Sequence, residues 1–227
     1  MVSYDTCRGE LEQLVDWYRP RVEERNEADT RFQLVDRLFF DCLGWDKEDV
    51  KLEESYNREY TDYAFSAPRR LFIVEAKKEG DYFELPAGET RIEQSLISLS
   101  KRYPNLKEAL EQAAGYCQTR GVPFGAVTNG HQLVAFVGTR SDGLPPLDGR
   151  ALVFSSLQFM LDNFLELWQA VSKPGIEDKR LQHRLLGEGL PELPPKPSAT
   201  ITGYPSVKGR NNLQTDLQIV SELSTFT

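Results

Sequence analysis

The sequence is poor in histidine and has no long hydrophobic segment. Its two histidines, His131 and His183, are too isolated to indicate a histidine-based catalytic mechanism. No run of about 18 apolar residues occurs, so no transmembrane helix is predicted. The first ten residues, MVSYDTCRGE, lack the apolar stretch of a signal peptide. We therefore expect a soluble cytoplasmic protein without a membrane partner.

Cysteine is also scarce. Cys7, Cys42 and Cys117 are odd in number and widely spaced, which fits neither a disulfide framework nor a zinc site. We expect all three to be reduced thiols with a structural role. The sequence also lacks the nucleophile elbow of the α/β-hydrolases and the phosphate-binding P-loop, so neither chemistry is predicted for this chain.

Basic residues are outnumbered by acidic ones. The 27 lysines and arginines face 35 aspartates and glutamates, which gives a net charge of −8. Because basic side chains supply much of the affinity for DNA, tight binding of nucleic acid by this chain alone is not predicted. The acidic excess is concentrated in residues 1–61, with 9 basic and 16 acidic groups, whereas residues 62–126 carry 9 of each. This charge distribution is compatible with a local basic surface formed by residues after 62.

The hydrophobic pattern predicts one domain, a linker and the start of a further segment. A chain of 227 residues with 40% hydrophobic content can form one sizeable core, which we place at residues 1–185. Prolines crowd together between residues 191 and 197, and hydrophobic periodicity is absent, so residues 186–212 are predicted to be a linker. Residues 213–227 resume a helical pattern, which predicts a following module or an ordered tail. We expect the chain to be the N-terminal part of a larger protein.

Periodicity and turn signals predict an α/β fold with a mixed central β-sheet flanked by helices. Apolar spacing predicts helices over 8–25, 28–43, 104–119 and 156–171, the last with Leu165 among the residues facing inward. A capping box formed by Thr90 and Glu93 predicts a further helix start. Strands are predicted over 51–66 and 68–78 as a hairpin turning at 66–68, within 122–138 as a hairpin turning at Asn129-Gly130, and at 151–154.

The segment LFIVEAKK at residues 71–78 ends a predicted buried strand with an abrupt group of charges. Because side chains alternate along a strand, Glu75 and Lys77 are expected to share one face, with Ala76 on the other. The preceding predicted strand carries Asp62. Two carboxylates that converge from adjacent strands make a hard oxygen site for Mg²⁺, to which the carbonyl of Ala76 could add a further oxygen. A metal ion beside a lysine is suited to phosphodiester hydrolysis.

At these residues the sequence resembles the PD-(D/E)xK nucleases of the RecB-like branch, and among them the N-terminal endonuclease domain of type I restriction enzyme motor subunits. The resemblance covers about residues 10–170 and follows the order of the family's motifs. The matching stretches are EADTRFQLVDRLFFDCLGWD (27–46), YTDY (60–63), FIVEAKK (72–78) and EQAAGYCQTRGVPFGAVTNG (111–130).

The resemblance implies a restriction-endonuclease-like core and an Mg²⁺-dependent DNA endonuclease, with Mn²⁺ as a substitute metal. By implication Asp62, Glu75 and Lys77 are catalytic, and the metal is held by Asp62, Glu75, the Ala76 carbonyl and Glu27. Gln112 and Tyr116 match the family's Gln-x-x-x-Tyr motif and would position the substrate. The implied partners are DNA and a helicase, ATPase or sensor module in the same or another chain, within a restriction or anti-phage defence system.

Two departures from the family pattern and one alternative accompany this reading. The usual motif proline is Thr61 here. Residues 79–104 form a long bridge with five acidic side chains, Glu79, Asp81, Glu84, Glu89 and Glu93, which could cover the site. Glu27 is about as well explained by a solvated helix face. The alternative function is a nucleic-acid-binding or scaffold module that keeps the fold without the chemistry.

Overall fold

We describe the protein from a computed structural model. The described residues are 3–18, 26–56, 59–79, 83–86, 88 and 90–187. The described residues all belong to one compact unit, which spans residues 1–188. From residue 188 onwards, the predicted linker and following module lie outside the described residues, so these domain assignments stay predictions.

Two helical segments open the fold. Helix α1, Tyr4–Trp17, begins where the side chain of Ser3 accepts a hydrogen bond from the amide of Thr6. The backbone of Tyr18 is extended, so the predicted continuation of this helix beyond residue 17 is wrong at that residue. The second segment, residues 27–42, is here called the long helix. It consists of α2, Glu27–Thr30, followed by the π-helical turns Arg31–Val35 and Arg37–Cys42.

Local sequence signals account for both ends of the long helix. The side chain of Asn26 caps its first turn by accepting a hydrogen bond from Asp29, whose carboxylate bonds back to the Asn26 amide. Gly44, with φ of 70°, follows its last turn, in the conformation that glycine favours after a helix. The helix predicted over 28–43 is therefore confirmed.

The described residues contain one seven-stranded sheet in the order β1-β2-β3-β5-β6-β7-β4. In the part of the chain that the structure describes, β3 and β5 form the single parallel pair, and the other neighbours are antiparallel. The fold is therefore mixed α/β, as predicted. The strands are β1 Val50–Tyr56, β2 Glu59–Ser66, β3 Arg70–Ala76, β4 Glu93–Ser95, β5 Phe124–Thr128, β6 Leu133–Val137 and β7 Arg150–Phe154.

The first part of the sheet corrects the predicted strand over residues 51–66. It consists of two antiparallel strands, β1 and β2, in which Leu52 lies opposite Tyr63. Only Asn57 and Arg58 separate them, so without a glycine or proline the sequence carries a weak turn signal at that point. The hairpin predicted to turn at residues 66–68 is confirmed, because β2 and β3 pair antiparallel on either side of residues 67–69.

The first helices after β3 confirm one prediction and correct another. Helix α4, Pro104–Arg120, begins with a proline and ends at Gly121, whose φ is 64°. The capping box expected from Thr90 and Glu93 is wrong, because Glu93 begins strand β4. Helix α3, Leu96–Arg102, is instead capped by the side chain of Ser95.

The helix predicted over residues 156–171 is broken at Asn163 into α5, Leu157–Asp162, and α6, Phe164–Val171. After the break, the residues that face the core are no longer those expected for one continuous helix. Leu165, predicted to face inward, is 55% exposed, and Leu167 is buried in its place. Helices α7, Lys173–Glu177, and α8, Arg180–Leu186, complete the described chain.

The hairpin of β5 and β6 is confirmed, with residues 129–132 as its loop. Gly130 has a φ of 92°, and a β-carbon there would lie 2.6 Å from the β-carbon of Leu34 in the long helix. Glycine is therefore required both for the turn and for the close approach of the long helix. This close approach of Gly130 and Leu34 places the long helix beside the ends of strands β3 and β5.

Helices cover both faces of the sheet. On one face an aromatic cluster joins Phe39 and Trp45 to Phe65 and Phe72 of β2 and β3. On the other face Ile73 packs with Tyr116 and Cys117 of α4. The alternation of neighbouring strand residues between two buried clusters explains why β3 is a continuous apolar run.

The three cysteines are buried and form no disulfide, as predicted. Burial raises the pKa of Cys7 to about 11, with the carboxylates of Glu10 and Asp41 adding to the effect. The thiol therefore stays protonated at neutral pH. Among the described residues, no helix is both long and apolar enough to cross a membrane.

Candidate active site

Asp62 lies where strands β2 and β3 stop pairing. The register of these strands ends at Tyr63 opposite Val74, so Asp62 is the next residue of β2 towards this end. Its carboxylate Oδ2 accepts a hydrogen bond of 2.8 Å from the amide of Ala76. The Asp62 carboxylate thus accepts the hydrogen bond that a backbone carbonyl would accept in a continued strand pair. This bond fixes the carboxylate beside the end of β3.

Glu75 and Lys77 lie side by side, as strand alternation predicts. The Nζ atom of Lys77 is 2.7 Å from Oε1 of Glu75. Glu75 is only 3% exposed, and its other oxygen, Oε2, is buried and accepts no hydrogen bond from any described residue. A buried carboxylate oxygen without a partner is costly. This oxygen is the feature of the site that most directly calls for a proton or a cation.

Helix α4 supplies two further polar side chains to the same site. Lys77 donates from Nζ to Oε1 of Gln112 at 3.0 Å, and Gln112 donates from Nε2 to the hydroxyl of Tyr116 at 2.8 Å. The spacing of four residues puts Gln112 and Tyr116 on one face of the helix. The structure therefore brings together Asp62, Glu75, Lys77, Gln112 and Tyr116, all of which the sequence singled out.

Burial and crowding of like charges perturb both carboxylates. The pKa of Glu75 is raised to about 7, mainly by burial and by the charge of Asp62, with a smaller contribution from Glu27. Lys77 opposes this shift. Burial also raises the pKa of Asp62, against the lowering effects of the Ala76 amide, Arg31 and Lys77. Both carboxylates are thus destabilised in their ionised form in the absence of a further positive charge.

Glu27 acts on Glu75 through its charge, and it does not complete a cluster of three ligands. Within the described ranges, no group of three or more histidine, cysteine, aspartate or glutamate side chains is arranged to hold a metal ion. Glu27 is the first residue of the long helix and is exposed. The roles of Glu27 and of the Ala76 carbonyl in metal binding stay predictions.

Arg31 is a site residue that the sequence reasoning missed. Its Nη1 atom lies 3.7 Å from Oδ1 of Asp62 and 3.2 Å from Oε1 of Glu53. Arg31 follows Glu27 by four residues, so both share one face of the long helix. The spacing from Glu27 is a signal in the sequence, but by itself it does not indicate a contact with Asp62.

Thr61, the residue before Asp62, has a structural role. Thr61 is fully buried, and its hydroxyl accepts a hydrogen bond of 2.9 Å from Nη1 of Arg120. Arg120 also bonds to the carbonyl and the carboxylate of Glu54. The position before Asp62 is thereby tied to β1 and to the end of α4.

The described residues of the acidic bridge at 79–104 do not all lie at the site. Glu79 is fully buried and accepts a hydrogen bond from the hydroxyl of Tyr18 at 2.7 Å. Glu93 lies in β4, at the opposite end of the strand order from β2, where it forms an ion pair with Arg150. Asp81 and Glu89 lie outside the described residues. The expectation of a cover is therefore wrong for Glu93.

Comparisons with known protein families, with curated proteins and with solved structures found no match for this chain.

Gln112 is positioned to orient Lys77, and its replacement tests that role. We expect Gln112→Ala to lower turnover by roughly tenfold to a hundredfold, because Lys77 loses an acceptor that fixes its ammonium group. Mn²⁺ binding measured by calorimetry should be unchanged, since Gln112 contacts Lys77 and neither carboxylate directly. Gln118→Ala, an exposed glutamine of the same helix, is the matched control. A loss of Mn²⁺ binding in Gln112→Ala would contradict the positioning role.

Proposed function

We propose that this chain is a metal-dependent nuclease module with a restriction-endonuclease-like core, which hydrolyses phosphodiester bonds of DNA. The proposal is supported above all by one observation: Asp62 and Glu75 converge from adjacent strands, with Lys77 bonded to Glu75 at 2.7 Å. The bonds from Lys77 to Gln112 and from Gln112 to Tyr116 add support, because the same residues form the motif that the sequence resembles.

The donor set of the site fits Mg²⁺. Mg²⁺ is usually held by one or two carboxylates, several waters and the phosphate of its substrate, so a pair of carboxylates suffices. Asp62 and Glu75 would hold the ion, and the buried Oε2 of Glu75 is an acceptor with no described partner. When bound, the metal polarises the phosphate and lowers the pKa of a water.

Side chains next to Asp62 and Glu75 would position the reacting water and the phosphate. Lys77, held between Glu75 and Gln112, can hold a water in place at the phosphate and stabilise the negative charge that develops there. The hydroxyl of Tyr116 fixes the amide of Gln112, which in turn fixes Lys77. Burial of Glu75 keeps competing water away from the bond between Lys77 and its carboxylate.

We further propose that the module works within a restriction or anti-phage defence protein. The acidic balance of the chain opposes tight binding to phosphate by this module alone. A helicase, ATPase or sensor module in the same or another chain would then bring DNA to the site and raise its local concentration.

A catalytically silent scaffold with the same fold is the alternative, and metal-dependent stabilisation separates the two. The nuclease should melt at a higher temperature with excess Mg²⁺ or Mn²⁺, because an ion that binds only the folded state stabilises it by about 2.7 kcal/mol at 100 times its dissociation constant. Asp62→Asn should lose this shift. Asp142→Asn, which removes the exposed partner of Arg140, is the control and should keep the shift. If neither Mg²⁺ nor Mn²⁺ changes the melting temperature of the wild type, the scaffold function is favoured.

A further inference from the structure

Arg31 lies beside the carboxylate pair and within the matching stretch 27–46, but it is not one of the predicted site residues. Its guanidinium is within 3.7 Å of Asp62 and 3.2 Å of Glu53, and it lies 5.2 Å from the centre of the Tyr63 ring. The side chain is 17% exposed. It is therefore held at the site and is still reachable from solvent.

The contact between Arg31 and Asp62 is an electrostatic one. A separation of 3.7 Å is too long for a hydrogen bond, whereas the 3.2 Å contact with Glu53 is within range. Glu53 itself has a φ of 49°, which is uncommon for a residue other than glycine. Such strained residues concentrate at functional sites. The strained residue here provides the acceptor that holds Arg31 next to Asp62.

The charges at the site indicate what Arg31 would bind. Among the charged groups in contact, Asp62, Glu75 and Glu53 place three negative charges against the two positive charges of Lys77 and Arg31 when no metal is present. A divalent cation on the two carboxylates would leave a positive excess, which an anion must neutralise. A guanidinium is suited to that anion when it is a phosphate, because its N–H groups match two phosphate oxygens.

We propose that Arg31 is a substrate-binding residue that contacts the scissile phosphate and that competes with the metal for Asp62 when no substrate is present. The proposal rests on the proposed nuclease function. It predicts opposite effects of one substitution on two ligands, which a purely structural arginine would not produce.

Replacing Arg31 with methionine should tighten metal binding and weaken catalysis. Calorimetry should show a dissociation constant for Mn²⁺ that is several-fold lower in Arg31→Met, because the competing cation beside Asp62 is gone. Cleavage of a supercoiled plasmid in saturating Mg²⁺ should fall by roughly 10²–10³-fold in kcat/KM, the usual effect of removing one donor to a developing oxyanion.

The conservative variant separates charge from geometry. Arg31→Lys keeps the positive charge, so its Mn²⁺ affinity should return to the wild-type value. Its kcat/KM should recover only in part, because an ammonium cannot make the paired hydrogen bonds of a guanidinium.

Arg37 offers a matched control in the same helix. Its guanidinium also lies over an aromatic ring, 4.8 Å from the centre of Trp17. Arg37→Met removes the same charge and a similar ring contact without a contact to Asp62. Both the Mn²⁺ affinity and the plasmid cleavage of Arg37→Met should match the wild type, and thermal melting checks that every variant is folded.

The outcomes distinguish the two proposals. If the wild type binds Mn²⁺ and cuts the plasmid but Arg31→Met matches Arg37→Met in both assays, the role of Arg31 is wrong and the nuclease function stands. If Arg31→Met loses activity without any gain in Mn²⁺ affinity, competition for Asp62 is wrong. If the wild type neither binds Mn²⁺ nor cuts, the proposed function fails, and the role of Arg31 fails with it.

Discussion

Replacing Lys77 with alanine is expected to reduce DNA cleavage by roughly 10²–10⁴-fold, the range for losing a positioned group that assists proton transfer or charge stabilisation. Lys77 is held by Glu75 on one side and by Gln112 on the other, so its ammonium has a defined position. The measurement is the rate of plasmid nicking in saturating Mg²⁺. The folded structure should survive, because alanine at residue 77 follows the end of β3 and leaves its ladder intact.

A second lysine provides the control for this loss. Lys107 lies on the exposed side of α4 and pairs with Glu111 on the surface. Lys107→Ala removes one positive charge from the same chain, so it corrects for any general weakening of DNA binding. Equal cleavage by Lys77→Ala and Lys107→Ala would show that Lys77 has no special role.

Replacing Glu75 with glutamine should make the metal-free protein more stable at high pH. The raised pKa of Glu75, about 7 against a usual 4.5, corresponds to roughly 3 kcal/mol of cost for its ionised form in the folded protein. The stabilising contribution of the protonated group is fully present below pH 4.5 and is lost as the pH rises through about 7. Glutamine is neutral throughout, so the gain in stability should appear at pH 8 and vanish near pH 4.

The same variant should lose metal binding, which makes the stability result specific. Urea unfolding at pH 4 and pH 8 gives the difference in free energy, and added Mn²⁺ should stabilise the wild type but not Glu75→Gln at pH 8. Glu111→Gln, on the exposed face of α4, should change the free energy of unfolding little at either pH. A wild-type protein as stable as Glu75→Gln at pH 8 would show that burial of Glu75 carries no such cost.

Much of the candidate site follows from short-range rules. Strand alternation predicts that Glu75 and Lys77 share a face, and their 2.7 Å contact agrees. Helical spacing predicts that Gln112 and Tyr116 share a face, and their hydrogen bond agrees. In both pairs the partners are two or four residues apart, so local geometry alone sets the relation between them.

The parts that sequence reasoning missed depend on long-range pairing. Arg31 reaches Asp62 because the long helix crosses the end of β2, and no local pattern sets that crossing. Strand β4 pairs with β7, which is distant in sequence, with Glu93 opposite Leu152, so a local capping pattern at Glu93 is overridden by the sheet. Likewise, Asn163 breaks a helix whose apolar period alone predicts continuity.

Cleavage of supercoiled plasmid by residues 1–227 tests the central claim most directly. The purified wild type would be incubated with Mg²⁺, with Mn²⁺ and with a chelator, beside Asp62→Asn prepared in the same way to exclude a contaminating nuclease. We predict nicked or linear product with either metal, and none with the chelator or with Asp62→Asn. Equal product from the wild type and Asp62→Asn, or no product from the wild type at any metal concentration, would contradict the assignment of Asp62, Glu75 and Lys77 as a nuclease site.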